Sequence, residues 1–241
     1  MLDAIENTDT VCVRGRVTEI TGLVIRALIP GVRLGEVCHI ETGKGGNRIT
    51  CEVVGFKDET VMLMPLGEAQ GIGPDSEVIA SGKPFSILCG ESLLGRVLDG
   101  LGQPIDGGPP LSALDGLQHW EVERQAPDPM KRMRITESIA MGVRAIDGLL
   151  TVGLGQRIGL FAGSGVGKSS LMGQIARNTE ADIVVVNLVG ERGREVRDFI
   201  EESLGEEGVQ KSVMVVATSN APSLVRRKSS YVATAIAEWF R

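Results

Sequence analysis

The residues best equipped for chemistry are the run Ala162-Gly163-Ser164-Gly165-Val166-Gly167-Lys168-Ser169. It follows the phosphate-loop pattern, with alanine standing where that pattern has its first glycine. Gly163, Gly165 and Gly167 let the backbone curl so that successive N–H groups point inward, and a helix starting at the lysine adds the positive end of its dipole. Such a nest suits phosphate oxygens. Lys168 would then reach the β- and γ-phosphates as a compact cation, and the Ser169 hydroxyl would ligate a bridging Mg²⁺. A lysine directly after the third glycine is not the GxGxxG spacing of a dinucleotide-binding turn. The plainer reading is an ordinary glycine-rich strand-to-helix turn, and the flanking sequence argues against it. IGLFA before the loop reads as a strand, and KSSLMGQIARN after it as a helix.

Hydrolysis needs a base that orients water near the γ-phosphate, and such a base belongs at the C-terminal end of a neighbouring strand. Glu191 meets that condition, following IVVVNLVG in the turn Gly190-Glu191-Arg192-Gly193-Arg194-Glu195. A solvated acid at a helix start is also favoured by the dipole, so the residue types alone leave both roles open.

Three strand-helix pairs must position these groups. After the expected strand Ile158–Ala162 comes a helix with Leu171, Met172, Ile175 and Ala176 on one face, then the strand DIVVVNLV. A helix marked by Val196, Phe199, Ile200 and Leu204 leads to the strand SVMVVAT and a last helix carrying Val232, Ala235, Ile236 and Trp239. That alternation specifies a parallel sheet with crossover helices. Upstream, Val11 to Ile87 holds seven short β-rich runs, from VCVRGRVTEI to PFSIL, broken by turn signals such as Pro30-Gly31, Gly43 through Asn47 and Gly73-Pro74-Asp75. They predict a small closed or sandwich-like β domain. The expected division is a β-barrel over 1–88, a connecting region over 89–133 and a nucleotide-binding domain over 134–241.

Composition narrows the function. The chain has 241 residues, 32 of them glycine, nearly double ordinary usage, with no collagen-like period. The net charge of −6 is spread over both halves, which excludes a broad polyanion-binding lobe. No secretory signal or membrane-length apolar run is present. Cys12, Cys38, Cys51 and Cys89 show no metal spacing and read as buried thiols. Arg226-Arg227-Lys228 reads as a solvated helix face, and Trp239 as core.

The stretch around Thr136–Arg197, from ITESIAMGVRAIDGLLTVGLGQRIGLFAGSGVGKSSL through NLVGERGREVRDFIE, resembles the ATPase of type III protein secretion. That family comprises the flagellar export and injectisome ATPases and is similar to the catalytic subunit of rotary ATP synthases. GRVLDGLGQPIDG matches its junction into the ATPase domain. VTEITGLVIRALIPGVRLGEVCHI resembles its N-terminal barrel, nearer to injectisome than flagellar members. The resemblance covers almost the whole chain and implies a small β-barrel followed by an α/β P-loop NTPase (RecA-like) domain, incomplete at its C-terminus. It implies ATP and Mg²⁺ as cofactors, with Gly163, Ser164, Gly165, Val166, Gly167 and Lys168 around the phosphates, Ser169 on the metal and Ser170 beside it. Glu191 becomes the glutamate that polarises the attacking water. Arg192 becomes a phosphate-side contact, its alternative being a salt bridge within its own turn.

Ala162 for glycine, and Ser170 where threonine is common, are mild departures from the family. Its members continue into an apolar strand ending in an aspartate that steadies Mg²⁺, then an arginine finger and a C-terminal helical domain. With the sequence ending at Arg241, the expectation is weak or absent hydrolysis, an unpaired strand edge and exposed apolar surface. The implied service is a hexameric motor with stator, central-stalk and chaperone-substrate partners, in the bacterial cytoplasm at the inner membrane. A non-hydrolysing nucleotide-binding or ring-assembly module is the rival. A nucleic-acid translocase is disfavoured by 3% aromatics and an acidic barrel.

Overall fold

The computed structural model describes residues 12–42, 47–163 and 165–241. Val11, Ser164 and the start of the turn expected from Gly43 lie outside them. The chain divides into two compact units, one of Met1–Ser86 with Pro222–Val225, the other of Ile87–Ala221 with Arg226–Arg241.

Six of the seven β-rich runs close the first unit into an antiparallel barrel: β1 (Arg14–Thr21), β2 (Val24–Leu28), β3 (Glu36–Thr42), β4 (Asn47–Lys57), β5 (Thr60–Pro65) and β6 (Glu77–Pro84), in the order β1-β2-β5-β4-β3-β6. Strict alternation supplies the interior, as in β5, where Val61 and Leu63 point inward with Val17, Ile25, Ala27, Ile40, Val53 and Val78. Closure leaves no free edge among the six described strands. Cys38 and Cys51 face each other across β3 and β4 inside the barrel, and burial pushes both thiols up to about 12, so they are packing groups rather than nucleophiles. Cys12, expected buried, is exposed.

The seventh run forms β7 (Ser86–Cys89), which pairs with β9 (Gln118–Glu121) in the second unit's two-stranded sheet. Its main sheet orders β10 (Val184–Val189), β11 (Ser212–Ala217) and β8 (Val97–Asp99), all parallel. The helices are α1 (Arg144–Leu149), α2 (Lys168–Asn178), α3 (Gly193–Asp198), a π-helical turn (Phe199–Leu204), α4 (Gly205–Gln210) and α5 (Ser223–Phe240).

One expected element is absent. Residues 156–163, including the apolar run Ile158–Ala162, join no strand, and Phe161 is 95% exposed. Apolar side chains give a strand its faces, but its backbone needs a neighbouring edge to pair with. Among the described residues no strand pairs with this run: β11 is flanked on both sides, and the outer edge of β10 is left without a partner rather than taken up by it. The third strand of the sheet comes instead from GRVLDGLGQPIDG. Arg96 grips Asp106 at 2.6 and 2.8 Å and donates to the Pro109 carbonyl, while Val97 and Gly108 donate backbone N–H groups to the same carboxylate. Asp99 accepts from the N–H groups of Leu101 and Gln103, closing the turn. The motif is therefore a clamp that lets β8 dock on β11.

That clamp is sensitive to acid. The hydrogen-bonded Arg96 guanidinium, against the opposing effect of burial and with help from the Val97 and Gly108 N–H groups, holds the Asp106 carboxyl well below the usual carboxylate range. A carboxyl lowered on folding contributes stability that is full above its unfolded value near 3.8 and declines as pH falls below it. Asp106→Asn is expected to lose about 1–3 kcal/mol at pH 7 and to flatten the decline of stability between about pH 5 and pH 2, read by urea denaturation at each pH.

Lys228 corrects the expectation of a solvated basic face. Its side chain is 1% exposed and its ammonium lies 2.7 Å from the half-exposed Glu123 carboxylate, because the helical period turns this position of α5 inward. Glu123→Gln, which strips the buried ammonium of that charge, is expected to cost about 2–3 kcal/mol in urea denaturation. Lys228→Met, which removes the charge and keeps the stem, is expected to cost less. Trp239 is only partly buried, edge-on to Phe240 with ring centroids 4.9 Å apart.

Candidate functional site

Gly165 and Gly167 both adopt positive φ, 76° and 93°, conformations that side chains resist, and Gly167 is the N-cap of α2. No acidic residue occupies the first turn and no side chain caps it, leaving its N–H groups and dipole to a ligand. Lys168 and Ser169 open the helix and are exposed. Lys168 forms no ion pair among the described residues.

Glu191 is placed by the parallel ladder, which runs past β10. Gly190, at φ 76°, donates to the Ala217 carbonyl at 2.7 Å, and the Glu191 carbonyl accepts from Ser219 N–H at 3.0 Å. The chain then turns into α3. One cavity of about 230 Å³ is lined by Lys168, Ser169 and Met172 from α2, Asn187, Leu188 and Val189 from β10, and Glu191, Glu195 and Phe199 beyond it. The fold thus brings Lys168, Ser169 and Glu191 together across one space.

Gly163, Gly165, Val166, Gly167 and Ser170 do not line it, and Ser164 lies outside the described residues. Arg192 is exposed and ion-paired with Glu195 at 3.3 Å, the contact within the turn that its residue type also allowed. Two polar groups escaped the sequence reading. Glu195 could have been found from helical spacing, since Phe199, four residues on, lines the same cavity. Asn187 had no sequence signal. Its Nδ2 donates to Ser230 Oγ at 3.3 Å, while its Oδ1 is buried without a hydrogen-bond partner among the described residues.

The donor set fits a Mg²⁺-bound phosphate chain. Among the described residues no group of three or more His, Cys, Asp or Glu side chains could hold a metal ion alone. A hard cation that keeps its waters and leans on one hydroxyl and the substrate's phosphates needs no such cage.

A closed barrel leading into a phosphate-loop domain defines a nucleotide-binding protein of the rotary ATPase type. Residues 17–82 match the beta-barrel domain of the ATP synthase alpha/beta family, and residues 142–241 match its nucleotide-binding domain. Within that family the curated relatives it is similar to include flagellum-specific ATP synthases and type 3 secretion system ATPases. It is 51% identical over its full length to a flagellum-specific ATP synthase from Bacillus subtilis (strain 168), covering 55% of that protein. Over 94% of its length it is 47% identical to a type 3 secretion system ATPase from Xanthomonas euvesicatoria, covering 51% of that one. Among solved structures it is similar to the assembled ATPase EscN of the enteropathogenic E. coli type III secretion system, with 40% identity and a TM-score of 0.80 over 94% of this chain and 53% of EscN. EscN in complex with its central stalk EscO gives a TM-score of 0.83. The chain spans about half the length of the curated relatives it matches.

Proposed function

We propose that this chain carries the ATP-binding machinery of a type III secretion motor subunit that hydrolyses ATP to release export substrates from chaperones and unfold them. The observation that carries the reading is the single cavity in which Lys168 and Ser169, at an uncapped helix N-terminus, face Glu191. Residues 1–88 serve assembly and orientation, 89–133 connect, and 134–241 bind nucleotide.

In this reading the loop from Gly163 to Gly167 orients the phosphates through backbone N–H groups, and Lys168 neutralises charge on the β- and γ-phosphates. Ser169, with Ser170 beside it, would hold Mg²⁺, which when bound offsets the charge that develops on the phosphate oxygens. Glu191 accepts a hydrogen bond from the attacking water and aligns it with the γ-phosphorus. Arg192 steadies the turn through Glu195 and is available to a phosphate on rearrangement. The partners are further copies in a hexameric ring, the stator and central-stalk proteins and chaperone-substrate complexes, at the cytoplasmic side of the inner membrane. No helix among the described residues is long and apolar enough to cross a membrane.

A second reading, nucleotide binding without effective turnover, is favoured by the stretch before the loop. Residues 156–163 join no sheet, so the loop is tethered firmly only on its helix side. Equilibrium binding of a fluorescent non-hydrolysable ATP analogue, with steady-state phosphate release on the same preparation, separates the two. Binding with turnover supports the motor, binding alone supports the module, and no binding refutes both.

A further inference from the structure

The two polar walls of the cavity ride on different elements: Lys168 and Ser169 on the first turn of α2, Glu191 and Glu195 at the entry to α3. Their separation depends on how α2 lies against the helical segment that continues from α3, and the two dock through a small cluster of residues. Gly173 of α2 is buried. A Cβ added there would fall inside the contact distance of the Ser203 carbonyl oxygen and 2.7 Å from both the carbonyl carbon and the Cβ of Ser203. One turn further along the same face, Arg177 donates through Nη1 to that same Ser203 carbonyl. The Arg177 stem lies against Gly208, where an added Cβ would sit 3.0 Å from Arg177 Cγ. Ser203 belongs to the π-helical turn Phe199–Leu204, whose first residue, Phe199, lines the cavity.

From this geometry we infer that Gly173 and Arg177 are positioning residues of the nucleotide site, a lock that fixes the width of the cavity by holding α2 on the π-helical turn. The inference rests on the reading of that cavity as the nucleotide site. Glycine is required because the obstacle is backbone, which cannot swing aside as a flexible side chain would. Arginine provides the directional half of the contact, a charged donor to a carbonyl. Helical segments with π-turns recur at functional sites, and here the turn joins the lock to the cavity wall. Any methyl group at position 173 must part the two helices by the better part of an ångström. A displacement of about 1 Å is enough to cost a well-ordered site roughly 100-fold.

The test uses the 241-residue chain with exposed Cys12 replaced by serine and spin labels at the exposed positions 174 and 197, read by pulsed electron–electron resonance without nucleotide. Gly173→Ala is expected to shift or broaden the label separation towards longer distances. Arg177→Ala, which adds no atoms, should do the same, and Arg177→Lys, which can still donate to the carbonyl, should restore the native distribution. If Gly173→Ala does not fold, the arginine pair decides. Unchanged separations in the folded variants overturn the lock.

A second measurement links the lock to the site. In the unlabelled variants, single-turnover phosphate release should slow roughly 10- to 100-fold, because Glu191 is drawn away from the phosphates held on α2. Affinity for a non-hydrolysable ATP analogue, which relies on the loop, Lys168 and Ser169, should stay within about twofold. Phosphate release that keeps its rate while the separation widens overturns the positioning role. If the unsubstituted chain binds no analogue, the reading of the site fails, and the label distances still judge the lock.

Discussion

Glu191→Gln is expected to leave ATP-analogue binding within about twofold while slowing phosphate release by roughly 10²- to 10⁴-fold, the usual contribution of a positioned base. The amide keeps the size and the hydrogen-bonding reach of the carboxylate but gives up its charge and proton affinity. The backbone that places it, pinned through Gly190 to Ala217 and through Glu191 to Ser219, is untouched. Single-turnover phosphate release beside fluorescence binding separates the two effects. Equal turnover in the variant would return Glu191 to the other role its residue type allows, a solvated acid at a helix start. Glu195→Gln, on the same wall in the first turn of α3, tells the two carboxylates apart, and only Glu191 should carry the large loss of turnover.

Lys168→Ala is expected to weaken ATP-analogue binding about 10- to 100-fold, the loss of a charge-assisted contact to phosphate. It should leave the melting temperature of the nucleotide-free protein unchanged, because the side chain is exposed and forms no ion pair among the described residues. The rise in melting temperature on adding analogue should shrink in step with affinity. A lysine serving only as a solvated helix residue would alter neither affinity nor that rise.

The parts of the fold that proved legible in the sequence were those where local pattern and packing agree. Alternation in runs such as Thr60–Pro65 predicted barrel strands, since one face of each had to be buried. The glycine turn into α2 was legible because glycine spacing and the helix that opens at Lys168 act over a few residues. Where the reading failed, the deciding contact lay far along the chain. Ile158–Ala162 has the composition of a strand, yet no edge among the described residues pairs with it. Lys228 is charged, yet α5 turns it inward to Glu123, 105 residues earlier.

By itself the sequence determined which atoms could bind phosphate, Lys168 and Ser169 behind three glycines, and that a β domain precedes a parallel α/β domain. Those follow from residue chemistry and short-range periodicity, which the order of residues contains directly. The tertiary structure decided what shares the cavity: that Glu191 faces Lys168, that Glu195 and Asn187 join them, and that Arg192 turns to Glu195. It also decided that GRVLDGLGQPIDG is a clamp for a third strand and that Gly173 meets Ser203. Such distances are set by the packing of helices and strands from separate stretches of chain, and no local pattern records them.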